Sequence, residues 1–219
     1  MAAELFTAIK GGDKAAVERL LELDRALVDA RDEKGLSPVL AALYRGQNEI
    51  AAAILRRGPR LSVFEAAAAG DGARVREIVD RDQAQANGSP SDGYSPLGVA
   101  AFFRHREIVR YLLDAGADPL PASPQGGFTP LHSAVATDAA PRDVEIVRML
   151  LDKGANPNAR SEAGNTPLHT TGFTGDRTSL ELLLKHGADR TIKNKDGKTA
   201  KDIATERGHE DVARILADS

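Results

Sequence analysis

The sequence predicts an all-α protein built from repeated helical units, and three observations carry that prediction. First, a short signature recurs along the 219 residues. It stands as Gly127-Phe128-Thr129-Pro130-Leu131-His132 and as Gly164-Asn165-Thr166-Pro167-Leu168-His169. Looser copies are Gly35-Leu36-Ser37-Pro38-Val39, Gly93-Tyr94-Ser95-Pro96-Leu97 and Gly197-Lys198-Thr199-Ala200. Second, its residues have the chemistry of a turn followed by a helix start. Gly takes the positive φ that ends a tight turn. Ser or Thr caps a helix by accepting a backbone N–H bond, and Pro suits the first helical position, where its missing N–H costs nothing. Third, the spacing is regular: Gly93, Gly127, Gly164 and Gly197 lie 34, 37 and 33 residues apart.

A period near 33 that carries Thr-Pro-Leu-His is the sequence sign of ankyrin repeats. The chain resembles ankyrin-repeat proteins over nearly its whole length. That resemblance implies a solenoid of stacked helix–turn–helix units with β-hairpin or turn connectors, usually serving to bind another protein. A solenoid is one elongated domain without a central core, so the whole of 1–219 is expected to be a single domain.

The units are expected at about residues 2–34, 35–58, 59–92, 93–126, 127–163, 164–196 and 197–219. The first opens with a short helix from Glu4 to Lys10 that lacks the signature, as suits an N-terminal cap; Gly11-Gly12-Asp13 breaks it. Val17, Leu20, Leu21 and Leu23 then mark a second helix. The next unit has an inner helix from Pro38 to about Arg45 and an outer helix from Glu49 to Arg57. Gly58-Pro59-Arg60-Leu61-Ser62 leads almost directly into a helix from Val63 to Ala69, so the usual connector is missing there. This explains the 58 residues between Gly35 and Gly93.

Shifting the chain by 58 aligns Phe6 with Phe64, Gly12-Asp13 with Gly70-Asp71, Asp24 with Asp82 and Glu49-Ile50 with Glu107-Ile108. Residues 1–58 and 59–116 read as tandem copies of a two-repeat unit. Farther on, the Pro- and Ser-rich stretch from Pro119 to Gly126 is expected to project as a semi-rigid finger. The fifth unit is four residues longer than the period, with the surplus near Thr137-Asp138-Ala139-Ala140-Pro141. Gly116, Gly154 and Gly187 close the outer helices as C-terminal caps. In the last unit, Lys201 and Asp202 replace the apolar residue and the His. One face is thus polar, as a C-terminal cap requires, and a complete protein of seven units is expected.

Composition narrows the function. Hydrophobic residues make up 42% of the chain, enough for a continuous buried seam, and much of this is Ala that lets helices approach closely. With 29 basic and 32 acidic residues the net charge is −3, too balanced to expect nucleic acid as a partner. There is no Cys for disulfides, thiolate metal sites or nucleophiles. The N-terminal residues carry no signal-peptide pattern, and no apolar run approaches the ~20 residues of a membrane span. A monomeric cytoplasmic protein without a membrane partner is expected, and its Ala- and Arg-rich usage points to a bacterial source.

No candidate chemistry survives inspection, so the chain is expected to be non-enzymatic, with no cofactor, metal or catalytic residues. His132 and His169 occupy the same place in adjacent units. Equivalent atoms of packed helices lie about 8–10 Å apart, whereas metal ligands converge within ~2–3 Å of one ion. The resemblance gives these histidines a structural role, bonding the turn and the neighbouring repeat. Gly197-Lys198-Thr199 looks like the end of a phosphate-binding loop, but the required Gly five residues earlier is Ile192.

The aromatics point to a binding face. Tyr44-Arg45, Phe102-Phe103 and Phe173-Thr174 share one register at the ends of inner helices, a place that the resemblance puts in the concave groove. Turn-tip residues after Gly are also apolar: Leu36, Tyr94 and Phe128. The expected partner-binding set is Lys34, Leu36, Tyr44, Arg45, Asp92, Tyr94, Phe102, Phe103, Gln125, Phe128, Thr137, Asn165, Phe173, Lys195 and Lys198, and the expected occupant is a protein. The alternative is a small-molecule or phosphate ligand at the gap Gly58-Pro59-Arg60, flanked by Arg56 and Arg57.

Overall fold

Local capping chemistry fixes where the helices begin. In the computed structural model, which describes residues 1–88, 94–124, 126–136 and 143–217, fourteen α-helices follow one another. They are α1 (Ala2–Gly11), α2 (Lys14–Leu23), α3 (Pro38–Leu43), α4 (Asn48–Leu55), α5 (Val63–Ala69), α6 (Gly72–Arg81) and α7 (Pro96–Phe102). The chain continues through α8 (Arg106–Asp114), α9 (Pro130–Val135), α10 (Val144–Asp152), α11 (Pro167–Thr174), α12 (Arg177–Lys185), α13 (Ala200–Glu206) and α14 (Glu210–Ala217). Pro stands first in α3, α7, α9 and α11, and Ser37, Ser95 and Thr129 accept the N–H three residues on.

The odd-numbered helices pack side by side in an inner row and the even-numbered ones in an outer row. One apolar seam, including Leu5, Ile54, Leu97, Leu131, Leu168 and Leu183, runs between them. Between α4 and α6 the outer row barely closes, beside the short Gly58–Ser62 link. The 3₁₀ turns Arg25–Asp29 and Gln83–Asn87 are 58 residues apart, and their capping residues Asp24 and Asp82 share φ near −145°.

The expected β-hairpin connectors are turns; no strand forms among the described residues. Four fingers close with a cross-bond at the base. Asp32 N–H donates to the Leu36 carbonyl, Ser123 to Phe128, Ser161 to Asn165 and Asn194 to Lys198, at 2.8–3.0 Å. A side-chain oxygen of Asp32, Ser123, Ser161 or Asn194 accepts a further backbone N–H from the far side of its turn. With one cross-bond and a turn stabilised by its own first residue, no ladder is needed. Neighbouring fingers are also joined, Glu162 N–H to the Gly126 carbonyl and Lys195 N–H to that of Ala163.

The two histidines of the signature link one unit to the next. His132 Nδ1 accepts the Thr129 N–H at 3.2 Å while its Nε2 donates to the Asn165 carbonyl at 3.0 Å. His169 repeats this with the Thr166 N–H at 3.1 Å and the Lys198 carbonyl at 3.0 Å. Asp202 keeps the first half, accepting the Thr199 N–H at 2.8 Å, and as a carboxylate it has no N–H to pass on. A second link went unread in the sequence. His105 donates to the Ala68 carbonyl and His209 to that of Phe173, each closing the end of the preceding inner helix. Gly70 and Gly175 make room for these rings, since a Cβ on either would lie within 3 Å of the imidazole. The visible signal is a His about 35 residues after a helix-ending Gly.

Candidate functional site

The ends of the inner helices and the finger turns form one face, and aromatic side chains stand along it. Tyr44, Phe102, Phe128 and Phe173 are 37%, 41%, 39% and 46% exposed. Of the adjacent pair, Phe102 faces solvent and Phe103 turns into the seam. Phe103 stacks on Tyr44 with ring centroids 5.7 Å apart and meets Phe102 edge-on at 5.1 Å. Phe173 carries the Arg207 guanidinium 3.7 Å above its ring, and Phe128 sits edge-on to His132.

The remaining expected site residues divide. Lys34, Arg45 and Lys195 are exposed on the fingers or the helix ends. Leu36 and Tyr94 are half-buried against the seam. Asn165 is engaged internally: its N–H donates to Ser161, its carbonyl accepts from His132, and its side-chain oxygen accepts from Asn194. Lys198 pairs with Glu206 at 2.7 Å. Asp92, Gln125 and Thr137 lie outside the described residues.

Among the described residues, hollows of two kinds open on this face. The larger, about 670 Å³, lies between the first helix and the first finger and includes Phe6, Lys10, Arg31, Lys34, Leu36 and Arg45 in its wall. The smaller, about 270 Å³, is apolar and is lined by Tyr44, Tyr94, Val99 and Phe102. Beneath it runs α5, whose register equivalents of Tyr44-Arg45 and Phe102-Phe103 are Ala68 and Ala69. These small residues let Tyr44 reach Phe103 across an intervening unit.

Charge is held in definite places. Glu65 is 3% exposed, with Arg31 Nη1 at 2.6 Å and Ser62 capping the same carboxylate. Burial pushes its pKa up, but hydrogen bonds from Ser37, Ser62 and Arg31 outweigh this and hold it below the usual carboxylate value. Burial lowers the pKa of both His132 and His169, against the raising effect of the carbonyls that accept their N–H bonds. Both rings are therefore neutral donors, as their hydrogen bonds require. The arginines at the gap do not converge on a site. Arg56 pairs with Glu18 at 3.7 Å, Arg57 with Glu22 at 3.1 Å and Arg60 with Asp29 at 3.5 Å. No group of three or more His, Asp or Glu among the described residues could hold a metal ion.

Arg104 adds a local cost beside the aromatic pair. It takes φ 62°, where Gly46, Gly70, Gly175 and Gly208 stand at the same register. A left-handed L-residue costs about 1–2 kcal/mol.

A family model described as Ankyrin repeats (3 copies) matches residues 63–161 and 138–219. The chain belongs to the ankyrin-repeat family. Among curated proteins it is similar to a transient receptor potential cation channel subfamily A member 1 homolog of Caenorhabditis elegans, 28% identical over 90% of the chain and 17% of the relative. It is also similar to the E3 ubiquitin-protein ligase KEG of Arabidopsis thaliana, 38% identical over 56% of the chain and 8% of that protein. The human neurogenic locus notch homolog protein 4 is 29% identical over 77% of the chain and 8% of its own length. The chain thus spans less than a fifth of each of these relatives. Ankyrin repeats are a non-enzymatic fold that generally mediates protein–protein interaction. No helix among the described residues is long and apolar enough to cross a membrane.

Proposed function

We propose that this chain is a non-enzymatic binding module that grips a partner protein through its concave face, formed by the finger turns and the inner-helix ends. The single observation that carries the reading is the row of exposed aromatics, Tyr44, Phe102, Phe128 and Phe173, on that face. Large exposed rings on a rigid scaffold contribute contact area at little conformational cost, which is the usual make-up of an interaction hot spot. The seven helix pairs are taken as seven repeats, the first four as a duplicated two-repeat unit. The chain is taken as a monomer acting in the cytoplasm, with a bacterial source suggested by composition. The alternative of a phosphate or metabolite at Gly58–Arg60 loses support, because each nearby arginine is already paired with a carboxylate of the first unit.

Affinity capture from native lysate with the wild-type chain and with Phe102→Ala/Phe173→Ala tests the reading, with captured proteins identified by mass spectrometry. The expected result is a specific partner that the variant loses. Retention of that partner at unchanged affinity would show that the concave face is not the binding surface.

A further inference from the structure

We propose that the N-terminal half of this face takes an extended acidic peptide segment of its partner, with one apolar side chain seated among Tyr44, Tyr94, Val99 and Phe102. The proposal rests on the protein-binding reading above and narrows it to one kind of partner.

The size of the apolar hollow sets the kind of anchor. At about 270 Å³ it lies just under the range of pockets that enclose a whole small ligand, and it suits a single Leu, Phe or Trp side chain. It exists because two absences coincide at the third unit: no finger stands over α5, and α5 offers only Ala68 and Ala69 where its neighbours carry aromatics. A partner chain can lie across the low point left by the short Gly58–Ser62 link.

The charge beside the hollow sets the chemistry of the flanking residues. Arg45 follows Tyr44 directly and lines the larger groove with Lys10, Arg31 and Lys34, whose carboxylates are Asp32 and Glu33. Arg31 is committed to Glu65, and Asp32 accepts the N–H groups of Lys34 and Leu36. Lys10, Lys34 and Arg45 form no ion pair among the described residues. A chain of net charge −3 thus gathers unpaired cations next to its apolar hollow, which complements an acidic segment and disfavours a basic one. An extended peptide advances about 3.3 Å per residue and packed helices are about 8–10 Å apart, so the acidic residues belong about 3–6 positions from the anchor.

The test is selection of a displayed random dodecapeptide library on the full chain in low-salt buffer, followed by fluorescence titration of the enriched peptide. The expected peptides carry Leu, Phe or Trp with Asp and Glu to one side. Phe102→Ala is expected to weaken the labelled peptide about 30-fold, as for a hot-spot aromatic. Lys34→Glu is expected to weaken it about 10-fold, with the loss reduced at high salt. Phe173→Ala, far along the face, is expected to leave it unchanged, and circular dichroism of each variant controls for folding. Enrichment of basic or uncharged peptides, or indifference to Lys34→Glu and to salt while Phe102→Ala still weakens binding, overturns the acidic partner and leaves the binding face standing. Indifference to both substitutions overturns the proposal and the face together. Failure to enrich any peptide overturns the extended-segment proposal, and the lysate capture then judges the face alone.

Discussion

The Tyr44 and Phe103 rings stack with centroids 5.7 Å apart, although one follows α3 and the other follows α7. The unit between them, with Ala68 and Ala69 in the equivalent places, fills too little space to separate the rings. Phe103 therefore couples units that are not neighbours in the chain, and Phe102 beside it does not.

That difference predicts unequal costs for two adjacent substitutions. Phe103→Ala removes a half-buried ring and its stacking partner and is expected to destabilise the fold by about 2–3 kcal/mol. Phe102→Ala removes an exposed ring and should cost less than about 0.5 kcal/mol. Urea unfolding of both variants checks this; equal midpoints would contradict the assignment.

His132→Ala is expected to cost about 2–3 kcal/mol. It removes the ring that accepts the Thr129 N–H and leaves the Asn165 carbonyl without its donor across the unit boundary. Hydrogen exchange is the discriminating measurement: the loss of protection should reach the following unit, at Asn165 and α11, as well as α9.

Acidification should weaken the fold before its carboxylates respond. His132 and His169 have folded-state pKa values lowered from 6.5, so the unfolded chain binds more protons around that pH. Their contribution is complete above pH 6.5 and is lost as the pH falls through the lowered values. Glu65 is lowered from 4.5, so its contribution disappears only below that pH. Urea midpoints are expected to fall between pH 7.5 and 5.5, and the slope should flatten in His132→Gln/His169→Gln.

Gly172→Ala sets two effects of opposite sign against each other. Alanine is favoured over glycine in a helix interior by about 1 kcal/mol. A Cβ there would meet the Ala200 carbonyl oxygen at 2.5 Å, and backbone cannot step aside as a flexible side chain can. The clash wins: a net loss of about 1–3 kcal/mol is expected in thermal or urea unfolding.

What was legible in the sequence was local. Gly, Ser or Thr, and Pro at fixed offsets specify a turn and a helix start within a few residues. Those starts at α3, α7, α9 and α11 therefore stand where the pattern puts them. Helix ends were less legible. The inner helix expected to reach Arg45 stops at Leu43, and the outer one expected to reach Arg57 stops at Leu55, because the last turns tighten beyond the α-helical pattern. The site was half legible. Register puts Phe102 and Phe103 at the end of an inner helix, but which ring turns inward depends on the helix row around them. Lys10 and Phe6 were not expected at the face, since their own unit lacks the signature; only the packing of α1 against α3 brings them to the groove.

The short link at Gly58–Ser62 also bears on mechanics. Farther along, the joints between the fifth and sixth and the sixth and seventh units are braced three ways, by inner helices, by outer helices and by the finger-to-finger bonds Glu162 to Gly126 and Lys195 to Ala163. The joint between the second and third units keeps the inner helices, the Arg31–Glu65 strut and the Tyr44–Phe103 stack that reaches past it, but no finger-to-finger bond spans it and α4 barely approaches α6. A spring with one under-braced coil bends at that coil, so curvature changes of the whole array should concentrate beside Tyr44 and Phe102.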